Sequence, residues 1–316
     1  MQQEMATDAS TTTVVSSLPL EFLKAITDNF SPTHKIGQGG FGTVYWGTLV
    51  DGTKIAIKKL EENSLVTRDK QFKNEVDSLM EIRHENIVKL VAFCHETRKE
   101  VLQNNGRLLL QDITHVLLCY EYLPMGSLEN YIFAEPLHWN KRFIIIKGIC
   151  KGLHFLHTME RPIIHMDLKP DNILLDENMQ PKIADFGLSR LFGVGQTRVV
   201  TQNFVAARGY VAPEYVYSGE ISTRSDIYSL GLLIIEIATG ERNSSFGSIS
   251  DMSAMNFINS VRQKWTDEYT SSRYPSECLE EVKTCISIGL RCVEHDRNIR
   301  PSMEAIVDEL NGVCAG

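Results

Sequence analysis

Ile164-His165-Met166-Asp167-Leu168-Lys169-Pro170-Asp171-Asn172-Ile173-Leu174-Leu175 sets an aspartate, a lysine and an asparagine in a short loop that runs into an apolar strand. Those side chains suit the transfer of a charged group between oxygens. Asp167 can accept the proton of an attacking hydroxyl, Lys169 can neutralise charge on a moving phosphoryl group, and Asn172 can offer its carbonyl oxygen to Mg²⁺. Downstream, Asp185-Phe186-Gly187 supplies a second ligand for the same ion. Ala212-Pro213-Glu214 closes a segment rich in glycines and hydroxyls, and Arg300, before Pro301, is the cation expected to pair with Glu214.

Upstream, Gly37-Gln38-Gly39-Gly40-Phe41-Gly42-Thr43-Val44 spaces glycines as G-x-G-x-x-G between two predicted strands, where backbone N–H groups can approach phosphates free of Cβ clashes. A dinucleotide fold needs a helix directly after such glycines and an acidic residue about twenty positions on. A strand follows here instead, which rejects that reading. The next strand carries Ile55-Ala56-Ile57-Lys58, and Glu75 comes on the helix after it. Lys58 can then reach the α- and β-phosphates of a nucleotide while Glu75 orients it. Taken singly, Lys58 reads as a solvated strand lysine and Glu75 as a solvated helix glutamate; their order in the chain favours the other role.

Residues up to about Ser17 are small, polar and unpatterned, the composition of a tail. Leu20, Leu23 and Ile26 recur at helical spacing within 18–30. Strands are predicted at 35–36, 42–49 and 54–58, the last two joined through Asp51-Gly52. A helix over 69–82 follows, with Phe72, Val76, Leu79 and Met80 as its apolar face. Segments 90–94 and 116–120 read as further strands, and Asn104-Asn105-Gly106 between them marks an extended hairpin. After Pro124-Met125-Gly126 the pattern turns helical: 139–159 is amphipathic and 226–238 is apolar nearly all round. The expected class is α+β, with a tail and short helix at 1–30, a β-rich lobe with one main helix at 31–122, and a mostly helical lobe at 123–316. The seam lies near Glu121 to Pro124.

Among the 316 residues, 32 Lys and Arg stand against 40 Asp and Glu, a net charge of −8. That balance argues against a polyanion-binding surface and a nucleic-acid partner. A 43 % hydrophobic content can fill a sizeable core, which excludes a disulfide or metal mini-scaffold. The seven cysteines, Cys94, Cys119, Cys150, Cys278, Cys285, Cys292 and Cys314, are odd in number and sit in apolar surroundings. They fit reduced, buried thiols in a cytoplasmic compartment, and Cys285 with Cys292 reads as core rather than metal site. No apolar run reaches the length of about 20 residues that a membrane span needs, and the greasiest, 230–237, contains Glu236. No secretory signal, myristoylation glycine or prenylation box is expected, and the sequons at Asn29 and Asn243 carry little weight without a secretory signal.

The Gly-rich loop, the Ile57-Lys58 strand, the Asp167 loop, Asp185-Phe186-Gly187 and Ala212-Pro213-Glu214 occur in the order that makes the chain resemble a eukaryotic protein kinase, over about residues 30–311. Asn29-Phe30, the run from Tyr120 to Leu128, and Asp226-Ile227-Tyr228-Ser229-Leu230-Gly231 resemble the cytoplasmic domains of plant receptor-like kinases. Lys169-Pro170 resembles the serine/threonine branch. The resemblance implies the two-lobed kinase fold and transfer of the γ-phosphoryl group of MgATP, with Mn²⁺ as a substitute ion, to serine or threonine hydroxyls of a protein. It also implies receptor-like or immune signalling and an upstream receptor or partner kinase. By the same resemblance Ile36 and Val44 cap the adenine, Ala56 and Leu174 pack its faces, Tyr120 is the gatekeeper, and the backbone of Glu121 and Leu123 bonds the adenine edge. Leu79, Leu90, His165 and Phe186 are expected to stack as a spine anchored on Asp226. His165 is then a packed residue rather than a catalytic one, and His154 and His157 read as helix-surface or core residues.

Two positions depart from the family pattern. Met166 stands where an arginine commonly pairs with a phosphate on the segment after Asp185, and it is uncharged. Ala206-Ala207 stands where relatives place Gly-Thr, and Ala207 lacks the threonine hydroxyl. These two residues motivate an alternative reading, a pseudokinase scaffold that works through a partner. Ser189, Thr197 and Thr201 are the candidate phosphorylation sites, with Arg190, Arg198 and Arg208 as the cations that would read such a mark.

Overall fold

Asp51 and Gly52 turn the chain, Gly52 at φ +85° and the Asp51 carboxylate accepting the Thr53 N–H at 2.9 Å, between two strands rich in β-branched residues. This hairpin is the middle of a six-stranded sheet. The computed structural model describes residues 15–61, 67–104, 107–133, 137–201, 209–243 and 251–313. The strands are β1 (Ser16–Ser17), β2 (Lys35–Gly39), β3 (Gly42–Thr48), β4 (Lys54–Leu60), β5 (Leu90–Asn104) and β6 (Arg107–Glu121), in the spatial order β1-β5-β6-β4-β3-β2. All neighbours are antiparallel except β1 and β5. Ser16 and Ser17, expected within the unpatterned tail, thus pair with Ala92 and Phe93.

Helix α1 (Leu20–Ile26) covers one face of the sheet and buries Leu20 and Leu23 against Ile55, Ile57, Ala92, Leu117 and Cys119. The predicted segment 18–30 is helical in that shorter span; Asp28, Asn29 and Phe30 follow with φ between +49° and +58°, which ends it. Helix α2 (Arg68–Leu79) lies on the other face, started by the Thr67 hydroxyl accepting the Lys70 N–H. Its buried side includes polar residues beyond the expected apolar ones. Gln71, Glu75, Ser78 and Leu79 are buried, Phe72 and Val76 are half-buried, and Met80 is 43 % exposed. The hairpin of β5 and β6 runs well past the rest of the sheet, pairing as far as Asn104 with Arg107, and carries exposed Val101, Leu108 and Leu110 near its tip.

After Glu121 the architecture becomes helical. Its elements are β7 (Gly126–Ser127), α3 (Glu129–Ile132), α4 (Trp139–Thr158), β8 (Ile163–Ile164), β9 (Ile173–Leu175), β10 (Pro181–Ile183), β11 (Arg190–Leu191), β12 (Val199–Val200), α5 (Pro213–Ser218), β13 (Glu220–Ile221), α6 (Thr223–Thr239), α7 (Asp251–Lys264), α8 (Asp267–Arg273), α9 (Leu279–Cys292) and α10 (Met303–Gly312). Helix α6 is the axis of this lobe: every residue from Ser225 to Thr239 is buried, so it has no solvent face. Ser222 and Ser225 cap its start reciprocally, and Gly240 ends it at φ +68°. Burial of each of its leucines and isoleucines stabilises the lobe by about 1.5–3 kcal/mol. The six described cysteines are buried thiols outside any disulfide; Cys314 lies outside the described residues. Among the described residues no helix is long and apolar enough to cross a membrane. A sheet-based lobe with one main helix, joined at Glu121 to a helical lobe, is the two-lobed α+β architecture that the sequence leads one to expect.

Candidate active site

Strand β4 carries Ala56 and Lys58 on one face, opposite Val44 and Trp46 of β3 and Leu118 and Tyr120 of β6. Lys58 Nζ donates to Glu75 Oε1 at 2.7 Å and to Asp185 Oδ1 at 2.8 Å, joining the sheet, α2 and the second lobe in one contact. Burial by itself would lower the Lys58 ammonium pKa, but Asp185 and Glu75 outweigh it and raise it. Lys58 in turn overcomes the burial of Asp185 and holds that carboxyl below its ordinary value. Glu75 also accepts hydrogen bonds from the Tyr120 hydroxyl and from Gln71 Nε2.

The loop from His165 to Asn172 is fixed from below by Asp226 in the first turn of α6. Its Oδ2 accepts the His165 N–H at 2.8 Å and its Oδ1 the Met166 N–H at 2.9 Å. His157 Nε2 also lies 2.9 Å from Asp226 Oδ2, a role for this buried histidine that its spacing did not signal. His165 bridges the Asp167 N–H, at Nδ1, and the Ala184 carbonyl, at Nε2, which assigns the neutral tautomer with the proton on Nε2. Its ring meets Phe186 edge-on at 4.8 Å between centroids, and Leu79 and Leu90 are fully buried in the same core.

Asp167 Oδ2 accepts from Lys169 Nζ at 3.0 Å and from Asn172 Nδ2 at 2.6 Å. Burial raises the Asp167 carboxyl above the ordinary aspartate value, against the pull of Lys169. Its other oxygen, Oδ1, is buried with no hydrogen-bond partner among the described residues. Asn172 Nδ2 also donates to the Asp167 carbonyl at 2.8 Å, which spends both amide protons and leaves Oδ1 as a free acceptor type. Asp185 keeps Oδ2 outside its contact with Lys58. These two oxygens, from Asn172 and Asp185, suit a hard divalent cation. Among the described residues no group of three or more His, Cys, Asp or Glu forms a complete metal cage, so such an ion would take its other ligands from phosphate and water, as Mg²⁺ does.

The Gly-rich turn pairs Gln38 with Thr43 and Gly39 with Gly42. Gly42 has φ +143°, and a Cβ there would lie 2.2 Å from the Lys59 carbonyl oxygen, so a side chain is excluded. Phe41 is half-buried with its ring 6.0 Å from Lys58 Nζ. Val44, Ala56 and Leu174 are half-buried, while Ile36 is 46 % exposed on the outer strand. Glu121 is tied to Lys89 through backbone and side chain, and the Leu123 carbonyl accepts the Gly126 N–H, which fixes the connection between the lobes.

Arg300, fully buried, grips Glu214 with two parallel hydrogen bonds of 2.8 Å and also donates to the carbonyls of Arg224 and Glu294. Met166, at φ +68°, belongs to an apolar cluster with Leu188, Phe192, Tyr215 and Ile221, so this uncharged position is filled by packing. Ser189 corrects a sequence expectation. It is 2 % exposed with Oγ 2.8 Å from Ser78 Oγ, which closes it to a modifying enzyme in this conformation. Thr197 is exposed and Thr201 half-buried, with its N–H bonded to the Gly219 carbonyl. Arg190 donates to the Leu188 and Ser189 carbonyls, and Arg198 pairs with Glu220. Ala206, Ala207 and Arg208 lie outside the described residues. Asn74 and Ser78 were not singled out in the sequence; the signal was a polar stripe at Gln71, Glu75 and Ser78, at spacings that share one helix face.

The family model for the protein kinase domain matches residues 30–310. The chain is 41 % identical to cysteine-rich receptor-like protein kinase 14 of Arabidopsis thaliana over 307 residues, covering 93 % of this chain and 44 % of that protein. Cysteine-rich receptor-like protein kinase 5 of the same plant is 40 % identical over 310 residues, 94 % of this chain and 44 % of that protein. Cysteine-rich receptor-like protein kinase 19 is 38 % identical over 326 residues, 98 % of this chain and 47 % of that protein. This chain therefore spans somewhat less than half the length of these relatives. With the matching family model added to the two-lobed fold and the Lys58, Asp167 and Asp185 geometry, the chain belongs to the protein kinase family, among relatives that are plant receptor-like kinases.

Proposed function

We propose that the chain transfers the γ-phosphoryl group of MgATP to serine and threonine hydroxyls of proteins, on the cytoplasmic side of plant receptor-like or immune signalling. One observation carries the reading: Lys58 is held between Glu75 and Asp185, and faces a loop in which Asp167, Lys169 and Asn172 lock one another. Phosphoryl transfer asks a protein mainly for positioning and for charge in the right places, and these residues supply both.

Ile36, Val44, Ala56 and Leu174 form the walls for adenine, and the backbone of Glu121 and Leu123 its edge. Tyr120 closes the back of that pocket, its hydroxyl already engaged by Glu75. The backbone of Gly37 to Gly42 and the Lys58 ammonium hold the phosphates. Asp167 Oδ1, buried and unpartnered among the described residues, accepts the proton of the attacking hydroxyl. Its raised pKa makes it a stronger base than an exposed aspartate. Lys169, 3.0 Å away, balances charge beside it. A divalent ion held by Asn172 and Asp185 would screen the phosphate charge. Support for serine and threonine comes from Lys169-Pro170, and Thr197 is the exposed hydroxyl most open to autophosphorylation.

The test is incubation of the purified chain with γ-labelled ATP and Mg²⁺, followed by acid hydrolysis and phosphoamino-acid separation. Labelled phosphoserine or phosphothreonine in the wild type, absent in Lys58→Met, is the expected result. Label on tyrosine alone would overturn the acceptor class. ATP binding without transfer would turn the reading to a nucleotide-dependent scaffold.

A further inference from the structure

Helix α2 buries Gln71, Glu75 and Ser78, three polar side chains on one stripe. Burying polar groups is unfavourable unless each finds a partner. Glu75 finds Lys58, at 2.7 Å. The neighbouring contacts reach instead to the segment that follows Asp185, more than a hundred residues away in sequence. Asn74 Nδ2 donates to the Gly187 carbonyl at 2.8 Å, and one helical turn further on Ser78 Oγ meets Ser189 Oγ at 2.8 Å. Gly187 permits this approach, because a Cβ there would lie 2.7 Å from Gln71 Cγ. Two residues of the segment thus advance along the helix as Asn74 advances to Ser78.

The segment needs holding. Asp185 sits at φ +64°, a left-handed conformation that non-glycine residues adopt at a cost and keep when their surroundings over-determine them. The surroundings here are Lys58 on one side and the Asn74 and Ser78 contacts on the other. Loss of the latter frees α2 to separate from the segment, which takes Glu75 from Lys58 and misplaces Asp185. On its far side the segment is held by apolar packing of Leu188 and Phe192 against Met166, and the polar seam ties it to α2.

We propose that Asn74 and Ser78 are positioning residues, which set the Lys58, Glu75 and Asp185 arrangement by hydrogen bonding α2 to Gly187 and Ser189. The inference rests on the phosphotransferase reading above, and its test is built so that the two can fail separately. Wild type, Asn74→Ala, Asn74→Asp, Ser78→Ala, Ser189→Ala and the Ser78→Ala/Ser189→Ala double variant are compared in two assays on the whole chain. One is steady-state phosphate transfer with ATP varied; the other is amide hydrogen exchange, which needs no activity.

A lost hydrogen bond of ordinary strength corresponds to roughly a two- to tenfold effect. Asn74→Ala and the near-isosteric Asn74→Asp, whose carboxylate cannot donate, are expected to lower kcat by about that factor, with KM for ATP changed less than twofold and the melting temperature lowered by no more than a few degrees. Amide exchange should rise in α2 and in residues 186–190 while α6 stays protected. The double serine variant should be no worse than either single one, because both break the same contact. Unchanged kcat and unchanged exchange in Asn74→Ala and Ser78→Ala overturn the proposal while an active wild type leaves the kinase reading intact. A silent wild type in which Asn74→Ala still loosens α2 and residues 186–190 supports the positioning role and removes the catalytic reading.

Discussion

Helices α2 and α6 each deliver one carboxylate that positions the site, Glu75 to Lys58 and Asp226 to the backbone of His165 and Met166, yet they are held in opposite ways. Helix α6 is capped at both ends and buried on every side by apolar neighbours from Ser225 to Thr239. Helix α2 buries a polar stripe beside Leu79, and its polar ties to the other lobe are single hydrogen bonds. Hydrophobic burial is non-directional and summed over many contacts, whereas a few hydrogen bonds are directional and each is worth about 1 kcal/mol. The loop that carries Asp167 therefore rests on a permanent base, and Lys58 rests on an adjustable one.

The sharpest contrast is expected from removing the two carboxylates. Asp226→Ala leaves two buried N–H groups unsatisfied at about 1–3 kcal/mol each, so a loss of about 3–5 kcal/mol in urea unfolding is expected. Glu75→Gln removes the charge but keeps an acceptor for Lys58 and Gln71 and an amide donor for the Tyr120 oxygen, so kcat should fall while stability changes by less than about 1.5 kcal/mol. Equal destabilisation by the two would erase the distinction. Next, Leu233→Ala in α6 should cost about 2–5 kcal/mol by cavity formation, against about 1 kcal/mol for the half-buried Val76→Ala in α2, both read by denaturant midpoint.

A third prediction uses Glu236 of α6. Burial pushes its carboxyl up to about 7, although the Tyr210 hydroxyl and the Asn243 N–H favour the ionised form. In the unfolded chain it titrates near 4.5. Between those values the folded chain keeps a proton that the unfolded chain has released, so stability falls as pH rises through this window and levels off above it. Glu236→Gln lacks that loss, so its stability relative to wild type should improve between about pH 4.5 and 7, by on the order of 3 kcal/mol. A difference constant with pH would contradict the buried-carboxyl account. The smallest effect is expected at exposed Thr197, where Thr197→Ala should shift stability by less than about 0.5 kcal/mol and remove any label found there by phosphosite mapping.

Helix α6 was readable in the sequence because its signal is apolar content, and 226–238 is apolar nearly all round. The extended hairpin expected at Asn104-Asn105-Gly106 was likewise written in local chemistry: its strands pair as far as Asn104 with Arg107 and run to 15 residues each, while Asn105 and Gly106 lie outside the described residues. Helix α2 was found, and Phe72, Val76 and Leu79 pack as expected, but the polar part of its inward face was missed. Periodicity counts apolar residues, and Phe72, Val76 and Leu79 satisfied it, whereas the partners that make Gln71, Glu75 and Ser78 inward residues lie on Lys58 and on the segment after Asp185. Ser189 is a candidate phosphorylation site by its place in the chain alone, and its burial was not legible because its contact with Ser78 spans 111 residues. The residue types at the site were legible because Asp167, Lys169, Asn172 and Asp185 are close in sequence. What could not be read was which oxygens remain open once those residues have bonded one another.

The central claim is that Asp167, with its unpartnered Oδ1, takes the proton in a phosphoryl transfer. The direct measurement is the turnover of wild type and Asp167→Asn at saturating ATP and Mg²⁺ on a basic protein substrate, with melting temperatures taken alongside. The account predicts a fall of about 10²- to 10⁴-fold in turnover with the fold intact. Equal turnover in the two proteins would contradict it.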